Sequence, residues 1–249
     1  MKQNDLGVVV LAAGRGTRMK SDKPKVLHTV NGRSMLSWVL ESAVDVAGKN
    51  VVVVVGHQSE KVKKDISAEF DVSFELQREL IGTGDAVRSA LPGLSHDVKD
   101  VLILCGDVPL IRKKTLLETV AFHKKNQNDI TVLAVNLDNP SDYGRIILDK
   151  KKEFLCIREE ADASVEEKRV VLVNSGIYCV KKDFLVWALE FIKPDNVQKE
   201  YYFTDIVAIA KRKGNRAGYV AIDNCQEVFG VNTISELQQV EQLMREMDL

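Results

Sequence analysis

Long apolar runs are missing from this 249-residue sequence. The longest, such as residues 7 to 13 and 51 to 55, fall far short of the roughly 20 residues a membrane helix requires, so no span is expected. Neither sign of charge is in excess: 35 Lys and Arg stand against 36 Asp and Glu, which removes the broad cationic surface expected of a nucleic-acid binder. Cysteine is sparse. Cys105, Cys156, Cys179 and Cys225 occur singly in or beside apolar segments, without a C-x-x-C pair, and read as reduced core residues rather than a disulfide framework. His28, His57, His96 and His123 are equally dispersed, with no pair at i, i+4 to suggest a zinc site. The opening Met-Lys-Gln-Asn-Asp lacks the apolar core of a signal peptide, so a cytoplasmic protein is expected. No internal repeat or low-complexity tract interrupts the chain, and a single domain over 1–249 is the expectation.

What is present is an alternation of β-branched runs with amphipathic segments. Strands are predicted at 7–13, 51–55, 72–76, 101–105 and 130–135, with helices near 34–47, 59–69, 83–91 and 113–125 between them. The valine runs show no polar alternation, which implies strands covered on both faces, as in a mainly parallel sheet flanked by helices. This is the α/β pattern of a Rossmann-like, doubly wound nucleotide-binding half over 1–138. Beyond the turn-like Asn139-Pro140-Ser141-Asp142-Tyr143-Gly144 the pattern changes: residues 145–180 look like strands broken by a charged stretch at 158–169. Residues 139–230 are therefore read as a substrate-side half. Helices near 181–192, 203–213 and 234–247 close the chain, the last within a carboxyl-terminal segment 231–249.

The most informative stretch follows the first strand: Leu11-Ala12-Ala13-Gly14-Arg15-Gly16-Thr17-Arg18-Met19, then Lys20-Ser21-Asp22-Lys23-Pro24-Lys25. Ligands of open α/β sheets bind beyond the carboxyl ends of strands, and Gly14 and Gly16 suit a loop whose backbone N–H groups approach phosphate. The loop lacks the Gly-Lys-Ser/Thr ending of a Walker A motif, and Met19 stands where a dinucleotide-binding fingerprint needs a small residue. It carries five cations in eleven residues, Arg15, Arg18, Lys20, Lys23 and Lys25, in a chain otherwise balanced. Charge of that density suits a triphosphate, where catalysis is positioning plus electrostatic stabilisation. Arg18 and Lys25 are the candidate catalytic cations, and Pro24 stiffens the backbone ahead of Lys25. A solvated basic loop is the plain alternative.

Leu-x-x-Gly-x-Gly-Thr-Arg-Met with a downstream Pro-Lys resembles the signature of sugar nucleotidyltransferases. Six further segments, in order, narrow the resemblance: Gln77-Arg78-Glu79-Leu80-Ile81-Gly82-Thr83-Gly84-Asp85-Ala86, Cys105-Gly106-Asp107-Val108-Pro109-Leu110, Tyr143-Gly144-Arg145-Ile146, Asn174-Ser175-Gly176-Ile177-Tyr178, Glu200-Tyr201-Tyr202-Phe203-Thr204-Asp205 and Gly230-Val231-Asn232. Together they look like the bacterial N-acetylglucosamine-1-phosphate uridylyltransferase family, the nucleotidyltransferase half of a bifunctional protein.

The resemblance implies that Leu11, Ala12, Gly14, Gly16, Gln77, Gly82 and Thr83 hold the uridine nucleotide. Gln77 would read the base through an amide that offers both donor and acceptor, although a strand-capping glutamine fits the position too. Asp107 and Asn232 would be the protein ligands of Mg2+, which keeps waters and phosphate oxygens for the rest. Asp107 is otherwise a turn former between Gly106 and Pro109. Gly144, Glu159, Asn174, Tyr202 and Thr204 would contact the sugar phosphate, while Thr204 also suits the N-cap of a helix starting at Asp205. Around Glu159 the wording Arg158-Glu159-Glu160 departs from the family, in which a basic residue tends to follow that glutamate, so Glu160 competes for the role.

The implied reaction is in-line attack of a sugar 1-phosphate on the α-phosphorus of UTP, with pyrophosphate released. The partners expected are small-molecule substrates, with neither nucleic acid nor membrane. Related nucleotidyltransferases using another sugar or nucleotide, and a nucleotide-binding module without the chemistry, are the alternatives. The hexapeptide-repeat acetyltransferase that usually follows this half, a β-helix that drives trimer assembly, has no counterpart in the sequence, so acetyl transfer and that route to a trimer are not expected.

Overall fold

The computed structural model describes residues 5 to 246. Met1 to Asn4 lie outside the described residues, as does the end of the segment 231–249, beyond Glu246. In chain order the elements are β1 (Leu6–Ala12), a two-residue hairpin of β2 (Thr29–Val30) and β3 (Arg33–Ser34), α1 (Met35–Ala47), β4 (Val51–Val55), α2 (Ser59–Ile66), β5 (Ser73–Leu76) and α3 (Thr83–Ala90). They continue with β6 (Asp100–Cys105), α4 (Lys113–Lys125), β7 (Ile130–Asn136), β8 (Arg145–Leu148), β9 (Phe154–Arg158) and β10 (Leu172–Lys181). The remainder are α5 (Lys182–Leu189), α6 (Asp205–Arg212), β11 (Ala217–Ile222) and α7 (Ile234–Glu246).

One mixed, mostly parallel sheet runs β5-β4-β1-β6-β10-β7-β11, with β8 and β9 paired off β10. β10 is the antiparallel member, bonded to β6 on one side and β7 on the other. The substrate-side half thus threads its longest strand through the middle of the main sheet instead of standing beside it. The valine runs explain the layering. Val51, Val53 and Val55 join one apolar cluster with α1, α2 and α4, whereas Val52 and Val54 join a second with α3, α5 and α6. Each strand is therefore clad on both faces, as its unbroken hydrophobicity required.

Register sets the site. Leu11 lies between Val54 and Cys105, and Leu76 pairs with Val55, so the segments after β1, β4, β5 and β6 leave from one edge. β10 enters the sheet from that same edge, and a register shift between Asn174 and Tyr178 marks a bulge there. Bulges re-aim side chains. Here the Asn174 Oδ1 accepts from the Gly176 N–H (3.0 Å), with Gly176 at φ 79°.

Three elements depart from the sequence expectation. β11 was not expected; Ala217-Gly218-Tyr219-Val220-Ala221-Ile222 is a half-buried edge strand rich in small residues, and a Cβ on Gly218 would lie 2.4 Å from Asn128 Nδ2. The β2–β3 hairpin was missed although Asn31 and Gly32 both have positive φ, the Asn-Gly signature of a tight hairpin turn. The helix expected from 59 to 69 stops at Ile66. No helix among the described residues is long and apolar enough to cross a membrane.

Candidate active site

A cleft of about 660 Å³ opens at the carboxyl edge of β1, β5 and β6. The loop after β1 forms one wall. Gly16 adopts φ 62°, and a Cβ there would lie 2.5 Å from the Lys25 Cβ, so glycine is required both for the left-handed turn and to seat the lysine stem. The backbone N–H groups of Gly14, Arg15, Gly16 and Thr17 have no acceptor among the described residues. Successive free amides in a turn form an anion-binding concavity. Of the five loop cations only Arg15, Arg18 and Lys25 line the cleft. Lys20, which takes a left-handed conformation after a short 3-10 turn, and Lys23 are exposed and do not line it. Arg18 reaches toward Asp142 of the following half, at 3.9 Å, with both side chains well exposed.

The structure brings Lys25, Asp107 and Asn232 together from three distant segments. The Lys25 ammonium is paired with the Asp107 carboxylate and donates to Asn232 Oδ1 at 3.0 Å, with the ion pair largely enclosed. Backbone bonds hold the acceptors in place: Gly106 N–H donates to Leu11 O (2.9 Å), and Val231 N–H donates to Asp107 O (2.9 Å). A capping box completes the arrangement, Thr233 Oγ1 accepting from Glu236 N–H while Glu236 accepts from the N–H groups of Asn232 (2.7 Å) and Thr233 (2.8 Å). A carboxylate and an amide oxygen are the hard donors Mg2+ prefers, and an ammonium already seated on them shows that the pair accepts a cation. The residues therefore fit the ion the resemblance implied.

At the other end of the cleft Gln77, 4% exposed, is a buried wall residue rather than a surface one. Its Nε2 donates to Gly82 O (3.1 Å) and to Asp85 Oδ2 (3.0 Å). The amide thus offers the cleft an acceptor alone, which corrects the expectation of a donor and acceptor pair. Gly82 has φ 125°, and a Cβ would strike the Tyr201 backbone at 2.5 Å. Thr83 Oγ1 accepts from Phe203 N–H (3.0 Å). Leu80 and Ala86 supply an apolar flank. Cys105 also lines the cleft, but burial pushes its thiol up to about 12, so it is no nucleophile.

The family model described as MobA-like NTP transferase domain matches residues 8–167. The chain belongs to this family. Bifunctional protein GlmU of Geotalea uraniireducens is 45% identical over 97% of this chain and 53% of its own length. The protein of the same name from Desulfotalea psychrophila is 40% identical over 98% and 72%. The chain thus spans about half the length of most of the curated relatives it matches. Among solved structures, a Bacillus anthracis protein assigned as a glucose-1-phosphate thymidylyltransferase, crystallised with sucrose, superposes with a TM-score of 0.74 over 97% of this chain and 96% of that one. At 18% identity it speaks for a shared fold.

In this NTP transferase the residues assigned to the sugar do not line the main cleft but form a network beside it. Thr204 Oγ1 donates to Glu159 (2.8 Å), Asn174 N–H donates to Gly144 O (2.8 Å), and Asn174 Nδ2 donates to the Tyr178 hydroxyl (2.7 Å). A Cβ on Gly144 would lie 3.4 Å from Glu159 Oε2. Thr204 precedes α6 yet makes no side-chain cap bond, its hydroxyl being spent on Glu159. Tyr202 donates to Gln198. The two neighbouring glutamates differ in their partners, and Arg145 makes the difference. This guanidinium, 1% exposed, bonds Glu160 at 2.6 Å and the Tyr143 carbonyl, while Lys168 takes the other Glu160 oxygen at 3.3 Å. Glu160 is thereby held below the usual carboxylate range by Arg145, and Glu159 is left beside Thr204.

Arg145 and Asp85 are the functional-looking residues that sequence reasoning passed over. Arg145 sat unremarked inside a matched motif, and Asp85 reads as an ordinary acidic residue in the first turn of α3. A larger cleft, about 920 Å³, lies at the opposite end of the sheet beside Asp100 and Asp129. Two of its carboxylates are already paired, Asp129 with Lys181 at 2.9 Å and Asp100 with Lys124 at 3.4 Å, and no glycine is among its lining residues.

Burial, offset in part by the Thr204 hydroxyl, raises Glu159 above the usual glutamate value. The unfolded chain therefore releases this proton first as pH rises. No penalty exists below the ordinary value of about 4.3, and stability is eroded as pH climbs through the raised folded value. Glu159→Gln keeps an acceptor for Thr204, so its unfolding midpoint relative to wild type is expected to rise at about pH 7 and to be unchanged near pH 3.5. A variant less stable than wild type at neutral pH would contradict this.

Proposed function

We propose that the chain is a magnesium-dependent uridylyltransferase that forms UDP-N-acetylglucosamine and pyrophosphate from UTP and N-acetylglucosamine 1-phosphate in the cytoplasm. One observation carries the reading: a single cleft joins four free backbone amides and the Lys25–Asp107–Asn232 cluster at one end to a buried amide acceptor at the other. Residues 1–138 supply the nucleotide side, residues 139–230 supply the sugar side, and the segment from 231 contributes Asn232.

Leu11, Ala12, Gly14 and Gly16 bring backbone against the nucleotide, with Gln77, Gly82 and Thr83 around the base. Lys25 spends two of its three N–H donors on Asp107 and Asn232 in the free protein, and would turn them to phosphate oxygens once a metal takes those two side chains. Arg15 and Arg18 add fixed positive charge above the loop amides. Asp107 and Asn232 would hold Mg2+, whose charge would offset that of the triphosphate oxygens. An oxygen of the sugar phosphate forms a bond to the α-phosphorus as the bond to the β-phosphate oxygen breaks, and the cations of the loop stabilise the charge that accumulates on the departing pyrophosphate. A phosphate monoester is already ionised near neutral pH, so no general base is required. The cleft accordingly has no histidine among its described lining residues. Glu159, Asn174, Tyr202 and Thr204, with the bare Gly144 backbone, present acceptors and donors suited to sugar hydroxyls and an N-acetyl group.

A panel of nucleoside triphosphates and sugar 1-phosphates, read by pyrophosphate release, is expected to give its highest turnover with UTP and N-acetylglucosamine 1-phosphate. Absence of turnover with that pair would refute the reading. Lys25→Ala is expected to lower kcat by roughly two orders of magnitude, the equivalent of about 3 kcal/mol of transition-state stabilisation. Unchanged steady-state kinetics would remove Lys25 from the mechanism.

A further inference from the structure

The polarity of the Gln77 amide is fixed by its surroundings. Its two N–H hydrogens face two groups that accept and cannot donate, the Gly82 carbonyl at 3.1 Å and the Asp85 carboxylate at 3.0 Å. Turning the amide over would set its oxygen against both, losing two hydrogen bonds in a buried position and placing oxygen on oxygen. The Gly82 carbonyl cannot turn away, because it also accepts from Ala86 N–H (3.2 Å) at the start of α3. Asp85 is mostly enclosed, and Arg88 stands 3.9 Å from it on the next turn. With both hydrogens committed, Gln77 Oε1 is the polar atom of this side chain that remains for a ligand, flanked in the cleft by Leu80 and Ala86.

We propose that Asp85 is a positioning residue that determines base specificity: by holding the Gln77 amide nitrogen, it leaves an acceptor that admits a ring N–H, as in uracil or thymine, and turns away cytosine. The N3 of cytosine is itself an acceptor, so a cytosine ring would bring two lone pairs together beside a buried amide, a mismatch that polar sites discriminate strongly. Asp85 acts through Gln77 and contacts neither phosphate nor sugar in this arrangement. The inference rests on the uridylyltransferase reading for its choice of nucleotides, and on the two hydrogen bonds for its choice of residue.

Asp85→Asn preserves size and replaces an obligate acceptor with a group able to donate, so that the Gly82 carbonyl alone opposes a turned-over Gln77. The test compares UTP with CTP in wild type, Asp85→Asn and Asp85→Ala, both as kcat/KM and as dissociation constants measured by titration without sugar phosphate. The ratio favouring UTP is expected to fall about tenfold or more in both variants, about what one net hydrogen bond is worth, with the KM for the sugar phosphate unchanged. A purely structural Asp85 would weaken both nucleotides together and leave the ratio intact, and that outcome would overturn the proposal. Wild type that binds CTP as well as UTP would overturn it too. Should wild type fail to turn over UTP with any sugar phosphate, the functional reading falls, and the UTP to CTP binding ratio still decides the role of Asp85.

Discussion

An enclosed ammonium needs acceptors, and the way Lys25 finds them organises this molecule. Its partners lie 82 and 207 residues away, one after β6 and one ahead of α7. Removing water from a charge is costly unless the charge is paired and hydrogen-bonded, so these contacts specify where three loops must end. The supports around them follow from that demand. Gly16 leaves room for the lysine stem, Gly106 ties the end of β6 to the end of β1, and the Thr233–Glu236 capping box fixes the backbone of Asn232.

A second seam joins the two halves across the cleft. Tyr201 N–H donates to Ile81 O (2.8 Å), Gly84 N–H donates to Tyr201 O (2.7 Å), and Phe203 N–H reaches the Thr83 hydroxyl. The loop proposed to read the base is thus stitched to the segment that carries Tyr202 and Thr204. Gly82 is bare because the Tyr201 backbone fills the space a side chain would occupy. The two ends of the cleft are therefore tied by direct backbone contacts. Threading β10 between β6 and β7 has the same effect at the level of the fold: the strand bearing Asn174 shares hydrogen bonds with the strand that ends at Cys105, two residues before Asp107.

Much of this was legible in the sequence because local chemistry declared it. Unbroken valine in β4 can only belong to a strand clad on both faces, and Gly14-x-Gly16 after an apolar strand points to a phosphate-binding turn. Other parts were hidden because their cause is not local. β11 has small residues and partial exposure, so its strand character comes from pairing with β7 rather than from its own propensity. The loop cations look alike in sequence, yet Arg15, Arg18 and Lys25 line the cleft whereas Lys20 and Lys23 do not. The different surroundings of Glu159 and Glu160 depend on the buried Arg145, and Asp85 gains its meaning from a glutamine eight residues earlier in the chain.

The central claim is that the glycine loop and the strand-end carboxylate form one cradle for a metal-bound triphosphate. A crystal structure of the protein with UTP and Mg2+ tests it most directly. The β- and γ-phosphates are expected on the amides of Gly14 to Thr17, within hydrogen-bond distance of Lys25, with the metal on Asp107. A triphosphate bound instead in the cleft at the far end of the sheet, beside Asp100 and Asp129, would contradict it.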